Sequence, residues 1–138
     1  MEDELRRILR RHSRWLTDEL TERLARGPDL HYEKTDRRVL SERCRLLVEA
    51  LISSAHQGAE QLGDFVASVA DRRLEEGFEL EELQHALRLL EVVSWRVVAR
   101  ESTPQSLTPN LAALNTAMGC ARDELARVGQ AHAHARAS

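Results

Sequence analysis

Residues 77–98, GFELEELQHALRLLEVVSWRVV, limit the fold more than any other part of the chain. With Leu83 at zero and about 100° per residue, Leu80, Leu87, Leu90, Ser94, Val97 and Val98 fall within about 60° of it. Ala86, Leu89, Val92 and Val93 carry the apolar surface round towards the opposite side. Only a narrow sector, with Glu81, Gln84, Arg88 and Glu91, stays polar. A helix apolar over so much of its circumference is a central one. It packs against several neighbours, or gives one face to its own core and another to a second chain. The spacing predicts Leu80, Leu83, Leu87, Leu90 and Val97 on the core side. It predicts His85, Leu89, Val92 and Arg96 on a face for a partner chain or a pocket. Gly77 fits a stop for the preceding helix. Glu79, Glu81 and Glu82 suit the dipole of the first turn.

The rest of the chain supplies helices to surround this one. A first helix is predicted over 2–26, with Leu5, Leu9, His12, Trp15, Leu16, Leu20 and Leu24 at spacings of three and four. Gly27-Pro28 ends it, and 29–36 reads as a polar connector. A second helix covers 37–56, capped by Thr35 or Asp36 and closed by Gly58. A third covers 60–76, with Leu62, Phe65, Val66, Val69 and Ala70 inward. Residues 102–105 break the chain before a fifth helix signalled by Thr108-Pro109. Its Leu111, Leu114, Met118, Ala121, Leu125 and Val128 form a narrow heptad seam. That seam suits a bundle helix, or a signalling helix that pairs with its twin. The expected fold is all-α, a compact antiparallel bundle of about five helices, with a globin-like arrangement as the alternative. Residues 1–130 form one domain and 131–138 a flexible tail.

Composition excludes several function classes. A net charge of −3 gives no basic footprint for nucleic acid. Aromatics at 4% suit a bundle built on Leu, Val and Ala. Cys44 and Cys120 have no metal-type spacing; they read as reduced core thiols, with a redox pair as the alternative. No apolar run reaches the roughly 18 residues of a membrane span. The N-terminus has no signal-peptide core, so the expectation is a cytoplasmic protein without membrane insertion.

Few residues suggest chemistry. His12 lies within the apolar stripe of the first helix and His85 on the second face of the central one. Each is an interface or core histidine with one partner, or else a haem, metal or pocket ligand or a pH switch. No histidine pair has the i, i+4 spacing of a helical metal site; His132 and His134 stand two apart on the tail. Arg72 and Arg73 flank the third helix's stripe. They pair with acids or cover apolar surface with their stems, or they contact an anion. Trp15 and Trp95 read as packing or interface anchors. His12-Ser13 and His85-Ala86 lack the acid expected beside a phospho-acceptor histidine. No phosphate loop is present, and Ser53, Ser54 and His56 share one helical turn and form no triad.

The segment 69–95, VADRRLEEGFELEELQHALRLLEVVSW, resembles the N-terminal domain of RsbRD-type stressosome co-antagonists, a module similar to the front of some sensor kinases. The pattern is Arg72/Arg73 on a helix, Gly77-Phe78, the acid-leucine run 80–83, and Leu87, Leu89 and Leu90. Trp15-Leu16 and the run 46–51 support it, so the resemblance covers about residues 1–125. One departure is Glu79, where a small hydroxyl cap is expected. The resemblance implies a non-catalytic, homodimeric input domain placed before an output such as a STAS domain or a histidine kinase core. This chain has no room for either, which suggests an excised domain or a stand-alone relative. The expected function is a sensory or regulatory input domain that is not an enzyme and passes helix repacking along its last helix. The alternative is a haem- or metal-binding sensor using His12 or His85. Ligand or interface candidates are His12, Trp15, Arg73, His85, Leu89, Val92 and Arg96. No catalytic residue, metal ligand or cofactor is expected, haem being the exception under the alternative.

Overall fold

The structure is a computed structural model that describes residues 3–137, apart from the Leu30 side chain. Seven helices and no strand occur among the described residues: α1 Glu4–Arg11, α2 Ser13–Arg26, α3 Leu30–Lys34, α4 Arg37–Gln57, α5 Glu60–Glu75, α6 Leu80–Glu101 and α7 Leu107–Ala137. The fold is the all-α bundle that the periodicity predicts. Helix α6 packs against α1, α2 and α7, while α5 lies along α7. Leu9, Leu20, Leu51, Leu62, Leu90 and Met118 are among the fully buried side chains at the centre. No described helix is long and apolar enough to cross a membrane.

The local stop signals are used as written. Asp36 accepts from the amides of Arg38 at 3.0 Å and Val39 at 3.3 Å and starts α4. Gly58, at φ 128°, ends α4. The buried Ser54 hydroxyl ties the α4–α5 turn by accepting from Leu62 N at 2.7 Å. That gives it a structural role with no reactive partner.

Helix α5 ends in a Schellman turn. Phe78 N donates to Arg73 O at 3.0 Å and Gly77 N to Leu74 O at 3.2 Å. Gly77 takes φ 103°, where a Cβ is strained. Gly77→Ala is expected to cost about 1 kcal/mol. It should appear as a lower urea midpoint with an unchanged slope.

Three boundaries depart from the expectation. The predicted first helix is two helices, and its predicted start at Glu2 lies outside the described residues. It breaks at His12, whose backbone (φ −104°, ψ 13°) leaves the helical region. Leu5 and Leu9 before the break, and Leu16 and Leu20 after it, all stay on the core.

The polar connector holds α3. Asp29 O accepts from Tyr32 N and Glu33 N, both at 3.1 Å. Tyr32 is buried edge-on to Phe78, with ring centroids 5.3 Å apart. A five-residue helix is too short to show a period, which hides it in the sequence.

Helix α7 starts at Leu107, two residues before Pro109, and runs to Ala137 through the stretch read as a tail. Pro109 therefore sits in the first turn, where its missing N–H costs no helical bond. The alternate alanines of residues 131–137 favour helix, and His132 Nε2 lies 2.8 Å from Asp71 Oδ1 on α5.

Candidate functional site

Helix α6 turns more of its circumference inward than its spacing alone predicts. Leu83, Leu87, Leu90 and Val97 are buried as expected, with Ser94 and Val98 of the same arc, while Leu80 is half-buried against the core; Ala86 and Val93 of the second set are buried too. The outward face is therefore narrow and follows Arg88, Val92, Trp95 and Ala99, spaced by four, three and four. Val92 is 40% exposed and Trp95 42%. Trp15, on the neighbouring α2, is 39% exposed. All three are large apolar groups in water, and on α6 the exposed Arg88 and Arg96 flank Val92 and Trp95.

The predicted second face divides. Val92 and Arg96 look outward, while Leu89 is half-buried against the core. His85 turns back into its own chain, where its Nδ1 bonds the Asp29 carboxylate. His12 stands where α1 gives way to α2. Its Nε2 lies 3.3 Å from Glu101 Oε1, an ion-pair distance whose angle falls short of a hydrogen bond. The His12 ring, then the Arg100 guanidinium, hold the Glu101 carboxyl below its ordinary value. Both histidines thus fasten the N-terminal half of the chain to α6.

A third fastening was missed in the sequence. Glu82 is only 6% exposed. Its carboxylate takes the amide of Glu79 at 2.9 Å, the amide of His31 at 3.0 Å and His31 Nδ1 at 2.6 Å. Burial opposes its charge, but these hydrogen bonds prevail and its pKa is lowered. The His31 ring also stacks on Phe78, with centroids 4.8 Å apart. One signal was available. Glu79 and Glu82 have the spacing of a capping box, in which the third helical residue reaches back to the cap amide. That arm offsets the weakness of glutamate as a cap.

Arg73 does not join this group. Its side chain, 13% exposed, borders a separate apolar pocket of about 110 Å³ between α4 and α5. Leu83, Ala86 and Leu87 of α6 and Leu125 of α7 line its inner side. No histidine or carboxylate lines it. Near the same end of α5, Asp71, Glu75 and His132 bring one potential ligand atom each within 4.8 Å of one another. The His132–Asp71 contact already accounts for that approach.

Helices α6 and α7 meet closely. A Cβ at Gly129 would stand 2.8 Å and 2.9 Å from the Leu80 methyls. Arg122 of α7 donates to Glu91 of α6 at 2.9 Å. Displacing α6 therefore has a direct contact through which to move α7.

The family model described as the RsbT co-antagonist protein rsbRD N-terminal domain matches residues 15–138. No curated protein and no solved structure matches the chain.

Proposed function

Because this chain belongs to the RsbRD N-terminal domain family, we propose that it is a non-catalytic, cytoplasmic input domain that works as a homodimer. The outward stripe of Val92 and Trp95 is the observation that carries this reading. Exposed apolar groups side by side on one face of a central helix mark a contact surface. A second copy would cover them, with Trp15 at the border and Arg88 and Arg96 on the rim. A signal that changes the packing of α6 would then shift α7 through Leu80–Gly129 and Arg122–Glu91. Such a switch needs a ligand or partner with different affinity for the two packings. In a longer protein, α7 would lead into an output segment such as a STAS domain or a histidine kinase core. The reading requires no cofactor, nucleic acid or membrane insertion.

Light scattering over a concentration series tests it. The expected mass is twice the 15.7 kDa of the chain. Val92→Glu combined with Trp95→Glu should return it to the monomer without loss of helicity. A wild-type chain that stays monomeric throughout the series overturns the dimer.

A further inference from the structure

The pocket beside Arg73 has the chemistry of a binding site. It opens between α4 and α5, which run antiparallel across the Gly58 turn and so set Arg43 opposite Arg73. Its interior is hydrocarbon, with the Tyr32 hydroxyl and Cys44 thiol as the polar exceptions. Burial pushes the ionisation of both upwards, so both remain uncharged. An enclosed apolar space of roughly 150 Å³ holds one benzene ring. The volume here, about 110 Å³ with an open mouth, suits a tail of about four to six carbons.

The mouth carries positive charge in excess of its partners. Arg43, Arg72 and Arg73 all line it. Neither Arg43 nor Arg72 has a carboxylate within ion-pair distance among the described residues, and neither has a hydrogen-bonded partner there. Arg73 has one carboxylate partner, Glu76 at 3.3 Å, which is itself half in water. Burial, and then repulsion from Arg43, lower the pKa of Arg73. The ordinary alternative is an arginine stem laid over apolar surface with its head in solvent. That arrangement accounts for the buried stem of Arg73, 13% of whose side chain is exposed, but not for the like charge of Arg43 set against it. An anion between the two guanidinium groups would relieve the repulsion and accept paired hydrogen bonds.

We propose that this pocket binds an amphipathic carboxylate, with a short alkyl chain or single aromatic ring inside and the carboxylate held by Arg43 and Arg73. Because Leu83, Ala86 and Leu87 form its inner wall, occupancy would be felt by α6. The binding itself does not depend on dimerisation or signalling, and each can fail without the other.

The test titrates the whole chain with hexanoate, 3-phenylpropionate and hexan-1-ol, followed through the Ala70 and Ala86 methyl resonances. At least one carboxylate is expected to saturate the shifts and to bind at least about tenfold more tightly than the alcohol. Which of the two binds better distinguishes an alkyl from an aryl ligand. Arg43→Gln and Arg73→Gln should each weaken that carboxylate by about tenfold and leave the alcohol unchanged. Equal affinity for acid and alcohol overturns the proposal, as does an absence of saturable carboxylate binding up to about 10 mM. Undiminished carboxylate binding in both folded arginine variants also overturns it. Should either variant fail to fold, the acid–alcohol comparison on the wild-type chain decides.

Discussion

Replacing Glu82 by alanine is expected to cost about 3 kcal/mol, more than any other polar truncation in the chain. Two backbone amides and the His31 ring would lose their acceptor together. Two connections would loosen at once, the start of α6 and the docking of α3 against it. In a domain of this size the melting temperature should fall by about 10 °C. Glu79→Ala removes only the cap side chain and should cost about 1 kcal/mol or less.

The pH dependence has a definite sign. Glu82 has a lowered folded-state pKa, so its stabilisation is fully present above the unfolded carboxyl value of about 4.3 and is lost as pH falls through the folded value. Wild-type stability should therefore decline below about pH 4.3, and that of Glu82→Gln should decline less steeply over the same range. Parallel denaturation curves for wild type and Glu82→Gln from neutral to acid pH would remove Glu82 as the source.

The second large effect lies one residue apart on α6. Leu90→Ala is expected to cost about 3–4 kcal/mol, because Leu90 is fully buried where α6 meets the core and its cavity cannot collapse. Leu89→Ala should cost about 1 kcal/mol, since Leu89 is half-buried and its neighbourhood can relax. Chemical denaturation of the two variants measures the pair. Equal losses would mean that the inward arc of α6 is wrongly assigned. A large loss at Leu89 that disappears on dilution would instead place it in the dimer contact.

Much of the fold was legible because its signals are local. Gly27-Pro28, Asp36, Gly58 and Gly77 each act through one or two backbone groups nearby, and each stands where a helix starts or stops. Of the predicted α5 stripe, Leu62, Val66 and Ala70 are buried in the core, while Phe65 and Val69 line the pocket. The break at His12 was not legible, because the apolar stripe runs unbroken on both sides of it. Helix α3 was hidden by its shortness, although its Tyr32 is a core residue. The heptad seam of α7 correctly placed Leu114, Met118, Ala121, Leu125 and Val128 inward, but stopped short of the alanine-rich end.

The candidate residues fared unevenly for a related reason. His12, His85, Trp15 and Arg73 were singled out by type and by helical face, and the structure gives each a distinct environment. Their partners lie far away in sequence. Asp29 stands 56 positions from His85, and His31 51 from Glu82. Arg43 was not singled out at all, because nothing in its own helix marks it. It gains meaning only when the α4–α5 turn sets it against Arg73.

The sequence by itself determined that α6 is central, the helix boundaries that carry a local cap or stop signal, and the family to which the chain belongs. Those properties depend on helical periodicity, on capping within a turn, and on a pattern readable along one strand of text. Tertiary packing decided which arc of α6 is inward and left Val92 and Trp95 in water. It also drew three fastenings onto α6 and enclosed an apolar pocket beneath two opposed arginines. These outcomes depend on how helices distant in sequence share volume and charge, and a single helix carries no record of its neighbours' side chains.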